Sequence, residues 1–218
     1  HAPPMTFLAW RYALSIAAFG AWIALARVPW PRERAQWGHL ALTGVLMHAG
    51  YLGGVWAAVK AGMGAGLSAL IVGLQPVLTA VWLSATGGRV TPRQWLGLLL
   101  GLVGLVLVVW QSIGLARFSL AGTGYALGAL LCMTLGAIAQ KGLSQSPLQA
   151  LPLQYAVSLL LCGLFLPFQR IEVDWSLDFL VPLLWLGIVI SVVAQLLLYR
   201  LIRAGNLVNV TSLFYLVP

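Results

Sequence analysis

Residues 61–109 read AGMGAGLSALIVGLQPVLTAVWLSATGGRVTPRQWLGLLLGLVGLVLVV. Two long apolar runs flank the short polar interval Gly87-Gly88-Arg89-Val90-Thr91-Pro92-Arg93, and the charges of the stretch, Arg89 and Arg93, both fall in that interval. Roughly 20 apolar residues in a helix rising 1.5 Å per residue cover the ~30 Å hydrocarbon core of a bilayer. The stretch therefore reads as two membrane crossings joined by a tight turn.

The rest of the chain has the same character. Of its 218 residues, 61% are hydrophobic and 7% charged, against about 25% charged in a typical soluble domain, and the mean hydropathy is +0.96. A water-soluble fold is excluded. The net charge of +8 comes from basic residues scattered singly rather than gathered into a stripe, so no nucleic-acid partner is expected. Cys132 and Cys162 lie inside apolar runs and read as packing residues rather than as a disulfide or reactive thiolates.

Pro, Gly and charged residues divide the chain into eight apolar segments, at 5–26, 38–59, 64–86, 94–111, 119–141, 147–168, 176–203 and 207–218. All but the last are long enough to span. Short connections make neighbouring spans antiparallel, so the loops sort onto two sides. One side holds Arg27, Arg32, Arg34, Arg89, Arg93, Lys141, Arg200 and Arg203; the other holds Lys60, Arg117 and Arg170, together with Glu172, Asp174 and Asp178. The positive-inside rule makes the first side cytoplasmic. That puts His1 outside and calls for an odd number of further spans ahead of it, with both termini of the whole protein in the cytoplasm of the bacterial inner membrane.

The chain also repeats itself at an offset of 143 residues. Arg11-Tyr12-Ala13-Leu14-Ser15 aligns with Gln154-Tyr155-Ala156-Val157-Ser158, Gly20 with Gly163, Gly44 with Gly187, Lys60-Ala61-Gly62 with Arg203-Ala204-Gly205, and Leu70 with Leu213. One period contains five spans, an odd number, so the copies sit in opposite orientations. Inverted repeats are a common architecture of secondary transporters. The expected fold is an all-α polytopic membrane protein with ten transmembrane helices in two inverted five-helix repeats. About eight spans are visible, with the first repeat at 1–118 and the second at 119–218.

The small-residue turn after residue 60, the mid-span Gln75-Pro76, and Arg89-Val90-Thr91-Pro92-Arg93-Gln94-Trp95-Leu96-Gly97 resemble the drug/metabolite transporter superfamily, EamA type. The pattern returns from Ala204-Gly205-Asn206 to Leu213-Phe214-Tyr215-Leu216-Val217-Pro218. Where that family carries an acidic residue ahead of the basic position filled by Arg89, this chain has Gly88. The resemblance implies a ten-helix exporter or exchanger of small metabolites, similar within the superfamily to amino-acid exporters of the YddG type.

Candidate substrate-binding residues follow from helix faces. On 38–59, a 100° step puts Gly50, Gly53 and Gly54 on one face for close helix contact, leaving His48 and Tyr51 to line a cavity. The offset carries His48, Leu52 and Trp56 onto Ser191, Gln195 and Tyr199, a polar stripe at four-residue steps. The competing reading is that these groups bond neighbouring helices. Arg11, matched by Gln154, either snorkels to the membrane surface or binds a substrate carboxylate. Gln75 precedes the proline of its span and is a cavity or hinge candidate, while Trp10, Trp56 and Trp82 are candidates for stacking on a substrate. Trp30, Trp37, Trp95, Trp110 and Trp175 sit at span ends and read as an interfacial belt. Gly97, Gly101 and Gly104, and the series Gly124, Gly128, Cys132 and Gly136, read as packing faces, and Lys60 and Arg203 as helix-end cations.

No HExxH, GxSxG or P-loop motif occurs, and Glu33, Glu172, Asp174 and Asp178 all lie in loops or at span ends. An enzyme is not expected, nor a cofactor or metal. The sequence points to a secondary transporter that exports small metabolites, amino acids first, by alternating access. Facilitated movement is preferred because the visible spans offer no carboxylate, leaving His48 as the titratable candidate. The alternatives are a proton-coupled drug or nucleotide-sugar type antiporter and a channel. The expected partners are the small-molecule substrate and the lipid bilayer, with the protein a monomer or weak homodimer.

Overall fold

The computed structural model describes residues 4–28, 34–114, 119–165 and 173–216, and their regular structure is entirely helical. Trp30, Arg32, Glu33, Arg117, Arg170 and Glu172, which enter the belt and charge readings above, lie outside the described residues. So do His1, the 166–168 end of one apolar segment, and Val217 and Pro218. The helices are α1 (Pro4–Ala26), α2 (Arg34–Gly44), α3 (Tyr51–Lys60), α4 (Ala65–Val72), α5 (Gln75–Ala85), α6 (Pro92–Gly114), α7 (Leu120–Lys141), α8 (Pro147–Phe165), α9 (Leu177–Leu184), α10 (Gln195–Ala204) and α11 (Leu207–Ser212). A π-helical segment, Val45–Gly50, joins α2 to α3, and another, Trp185–Ala194, joins α9 to α10. Leu213–Leu216 continues α11 as a 3₁₀ turn.

Seven helices among the described residues are long and apolar enough to cross a membrane: Thr6–Ala26, Gln36–Lys60, Ala65–Ala85, Pro92–Trp110, Leu120–Lys141, Pro147–Leu164 and Leu177–Ala204. The eighth apolar segment forms the shorter helix Leu207–Leu216. The span boundaries follow local chemistry. Thr91 and Gln94 form a reciprocal capping box, with Thr91 N–H donating to Gln94 Oε1 at 2.9 Å and Gln94 N–H to Thr91 Oγ1 at 3.3 Å, while Pro92 takes the first helical position, where a missing N–H is harmless. Ser146-Pro147-Leu148-Gln149 opens α8 with part of the same chemistry, Ser146 N–H donating to Gln149 Oε1 at 3.1 Å. Gly62 and Gly87 stop α3 and α5 at φ 89° and 85°, conformations that favour glycine. Beyond them Met63 N–H reaches Ala58 O at 3.1 Å and Gly88 N–H reaches Leu83 O at 2.8 Å, so carbonyls left over at each helix end are satisfied.

The chain forms two compact units, His1–Ala49 with Gly142–Leu201 and Gly50–Lys141 with Ile202–Pro218. Each draws on both halves of the sequence, so the units of packing are not the segments 1–118 and 119–218.

In the first unit α1 lies against α8, α9 and the segment Trp185–Ala194, and α2 lies against α8. Gly44 permits that second contact, because a Cβ there would stand 2.8 Å from Gln154 Cα and 2.9 Å from Gln154 O. At Gly187, 143 residues on, a Cβ would meet the Leu14 side chain at 2.8 Å. Leu40, Leu143 and Ala150 form a small buried cluster beside these contacts.

In the second unit α3 lies against α7, α4 against α6 and α7, and α5 against α7 and α11. Gly54 sits on α7 as the small-residue face anticipated, 3.0 Å from Ala129 Cβ and 3.1 Å from Tyr125 O for an added Cβ, whereas Gly53 has nothing within 4 Å. The packing stripe of α7 differs from the expected one. Gly124 and Gly128 are exposed, and the buried line is Gly122, Ala126, Ala129, Met133, Gly136 and Gln140. Gly136 is buried as expected, but alanine is small enough for the close approach to α3, so glycine spacing misplaced the stripe at Gly124 and Gly128. On α6, Gly101 receives the Tyr215 ring, while Gly97 and Gly104 have nothing within 4 Å.

Gly44→Ala pushes a methyl into backbone and is expected to cost about 1–3 kcal/mol, whereas Gly53→Ala leaves stability unchanged or slightly raised. Thermal unfolding of the two variants in the same detergent checks the contrast.

Candidate functional site

The two π-helical segments decide where the polar side chains go. Ser191 Oγ donates to Leu186 O, five residues back, at 2.8 Å. A π turn closes on i−5 and takes up an extra residue, so a 100° step carried through it loses register. His48 and Tyr51, placed on one face by that step, belong to different compact units, and each is described within its own. His48 is buried among first-unit side chains, and Tyr51 lines a cavity in the second unit. The stripe Ser191, Gln195 and Tyr199 is changed by that loss of register. Ser191 and Tyr199 are buried and bonded, while Gln195 keeps an Oε1 with no partner among the described residues.

The first unit contains a buried polar cluster. Tyr199 Oη donates to Gln154 Oε1 at 2.9 Å and stands 3.2 Å from His48 Nε2. With the hydroxyl proton spent on Gln154, the second contact requires the His48 proton on Nε2. Gln154 Nε2 donates to Thr43 Oγ1 at 2.7 Å, and Thr43 in turn bonds its own helix at Leu40 O, 2.9 Å away. Tyr12 and Tyr155 stack with ring centroids 5.5 Å apart, and His48 packs on Tyr155 at 4.6 Å. Arg11 donates through Nε to Ser191 Oγ at 2.7 Å, and no carboxylate pairs with it among the described residues.

These bonds recur at the 143-residue offset. Tyr12 Oη donates to His48 O at 3.2 Å and Tyr155 Oη to Ser191 O at 2.7 Å. Ser15 Oγ donates to Gly187 O at 2.9 Å, and Ser158 Oγ to Gly44 O at 3.3 Å. Donors and acceptors in both pairs are 143 residues apart, and the image of the π segment Val45–Gly50, residues 188–193, falls inside Trp185–Ala194.

The second unit holds a cavity of about 200 Å³. Its wall is Tyr51, Val55 and Val59 of α3, Ala65, Ser68, Ala69 and Val72 of α4, Gly73, Gln75 of α5, Leu105 of α6, Met133 of α7 and Phe214. The span 65–85 breaks at Gly73-Leu74, and Pro76 has no N–H to give the carbonyl four residues earlier. Gln75 is buried at this break, its Nε2 donating to Thr79 Oγ1 at 3.1 Å. The other candidates lie apart from both sites. Trp10 meets Trp175 edge-to-face at 5.2 Å near the start of α1, Trp82 is exposed, and Trp56 carries the Lys60 ammonium 4.9 Å above its ring. Arg203 lies in the last turn of α10 as expected, and Lys141 of α7 adds a second cation there, its Nζ donating to Arg203 O at 2.9 Å and Gly205 O at 2.7 Å.

Sequence reasoning passed over Tyr12, Tyr155, Thr43 and Ser68. The two tyrosines were visible inside the repeated pentapeptide, whereas Thr43 and Ser68 carry no signal beyond a hydroxyl in an apolar run.

The EamA-like transporter family matches residues 1–110, just over half of the 218. The chain belongs to that family. This EamA-like chain is thus an integral membrane protein with spanning helices rather than a soluble bundle. It is 28% identical over 161 residues to "Uncharacterized transporter YvbV" of Bacillus subtilis (strain 168), covering 71% of this chain and 52% of that protein. The chain spans about half the length of that curated relative. A solved crystal structure, 20% identical, matches 99% of the chain and 76% of its own length with a TM-score of 0.83, which establishes a shared fold.

Tyr199→Phe removes the bond to Gln154 Oε1 and the contact with His48 Nε2 in a buried setting and is expected to lower stability by about 1–2 kcal/mol. Tyr125→Phe, at an exposed position, is expected to stay within about 0.5 kcal/mol of the parent. Equilibrium unfolding in mixed micelles compares the two.

Proposed function

We propose that this EamA-like chain is part of a secondary transporter that exports small metabolites, amino acids first, across the bacterial inner membrane by alternating access. What carries the reading is the recurrence, at one 143-residue offset, of two Tyr–carbonyl bonds, two Ser–carbonyl bonds and the π-helical segments. Such recurrence supports two inverted repeats, and exchanging the conformations of inverted repeats moves a site from one face of the membrane to the other. The π segments supply the strained turns at which long spans bend. The family match to residues 1–110 supports transport as the activity. The YddG-type subclass and the cytoplasmic placement of the Arg89, Arg93 and Arg203 face belong to the same proposal.

Substrate binds near mid-span. Arg11, a half-buried cation without a carboxylate partner among the described residues, takes the substrate carboxylate. Within the first unit, His48, Gln154, Ser191, Gln195 and Tyr199 hold the surrounding polar surface; Tyr51 and Gln75 belong to the cavity of the second unit taken by itself. Among the described residues the carboxylate within a span is Asp178, in the first turn of α9 at the span's end, so none lies mid-span for a proton relay, which supports movement down the substrate's own gradient.

Proteoliposome uptake, with amino acids, nucleosides and sugars as competitors, is expected to show saturable transport inhibited by amino acids. Arg11→Gln is expected to raise KM for carboxylate substrates at least about tenfold at unchanged protein yield. An imposed pH gradient without a substrate gradient is expected to drive no accumulation. Accumulation that a protonophore abolishes overturns the facilitative reading, and unsaturable flux overturns the carrier. A single cysteine replacing Thr86 should react with an impermeant thiol reagent in inside-out vesicles and not in intact cells.

A further inference from the structure

The cavity of the second unit has an unusual wall. Ser68 and Gln75 are each 1% exposed, and Ser68 Oγ and Gln75 Oε1 have no hydrogen-bond partner among the described residues. A buried polar atom left unpaired costs about 1–3 kcal/mol, more where no water competes, so two such atoms on residues that line one cavity call for an occupant. The Gln75 amide is oriented by its neighbour. Thr79 spends its hydroxyl proton on Gln75 O at 2.9 Å, so its oxygen can only accept, and it accepts from Gln75 Nε2. That leaves the amide oxygen as the free group, and a carbonyl oxygen can only accept. A ligand therefore has to bring a donor.

Size and charge narrow it further. An engineered apolar cavity of about 150 Å³ takes benzene, and this one encloses about 200 Å³, room for a ring with a few more atoms. Apolar side chains, Val55, Val72, Leu105, Met133 and Phe214 the bulkier among them, make most of the wall, and among the described residues no charged side chain lines it. A carboxylate or ammonium would be desolvated there without a counter-ion. Gly73 holds Leu105 at the helix break, since a Cβ on Gly73 would collide with the Leu105 side chain.

The geometry points to a binding site for an uncharged, ring-sized apolar group bearing one N–H or O–H donor, its donor directed to Gln75 Oε1 and Ser68 supplying the second polar contact. Combined with the transport reading, on which this clause alone rests, the pocket receives the apolar end of the substrate while its charged end stays outside the cavity.

The test uses the purified chain in nanodiscs with indole, with indene as the same shape without the donor, and with indole-3-carboxylate as the charged relative. Equilibrium dialysis is expected to show saturable indole binding, about tenfold tighter than indene, and none of the carboxylate. Gln75→Leu is expected to abolish the preference while keeping indene binding, and Ala69→Phe to remove both by filling the space. Should Gln75→Leu fail to fold, Ser68→Ala is expected to weaken indole more than indene. Absence of saturable binding, equal affinity for indole and indene, or a preference that survives both polar substitutions overturns the site. Because the readout is binding, indole bound without any transport refutes the transporter reading alone, and transport without indole binding refutes the pocket alone.

Discussion

A hydroxyl or amide buried inside a membrane span has no water to bond in place of a protein partner, and the arrangement of this chain depends on that restriction. Tyr12 and Tyr155, almost wholly buried, each direct the hydroxyl to a carbonyl of a π-helical segment. A π turn disturbs the regular i−4 ladder, so its carbonyls are available to outside donors. Ser15 and Ser158 use two further carbonyls of the same spans, at Gly187 and Gly44. The glycines let the backbones come close enough for a short side chain to reach. Sequence, helix irregularity and packing are thus coupled: removing the glycine lengthens the serine bond, and regularising the helix withdraws the tyrosine's acceptor.

The same restriction separates the two polar regions by chemistry. In the first unit, Tyr199, Gln154 and Thr43 form a chain in which each donor has an acceptor. A fully paired network of that kind holds helices in register. In the second unit the Ser68 hydroxyl and the Gln75 side-chain carbonyl have no partner among the described residues and belong to residues that line an apolar cavity. Paired groups favour one arrangement of the helices, while unpaired ones reward the arrival of a ligand.

Much of the fold was legible in the residues. Span positions came from apolar run length, and the structure moves their ends by a few residues for reasons also in the sequence: Thr91 with Gln94 at the start of α6, Gly62 after α3 and Gly87 after α5. The Gly54 contact followed from small-residue spacing. The stripe of α7 did not, since Ala126 and Ala129 do the work expected of Gly124 and Gly128, and alanine in a chain so rich in it gives no contrast.

Composition and run length by themselves determined that this chain lives in lipid and how many times its helices cross, because burial in hydrocarbon is a property of whole segments and depends little on their neighbours. The 143-residue offset likewise needed only the order of residues. Which side chains meet was decided by tertiary structure. A π turn shifts every later residue around its helix axis, and Ser191 and Tyr199, eight residues apart, bond to different partners, Arg11 and Gln154. No periodicity in the sequence marks that shift, since a π segment forms where surrounding packing can satisfy its carbonyls, and those partners come from other helices, 36 to 172 residues away.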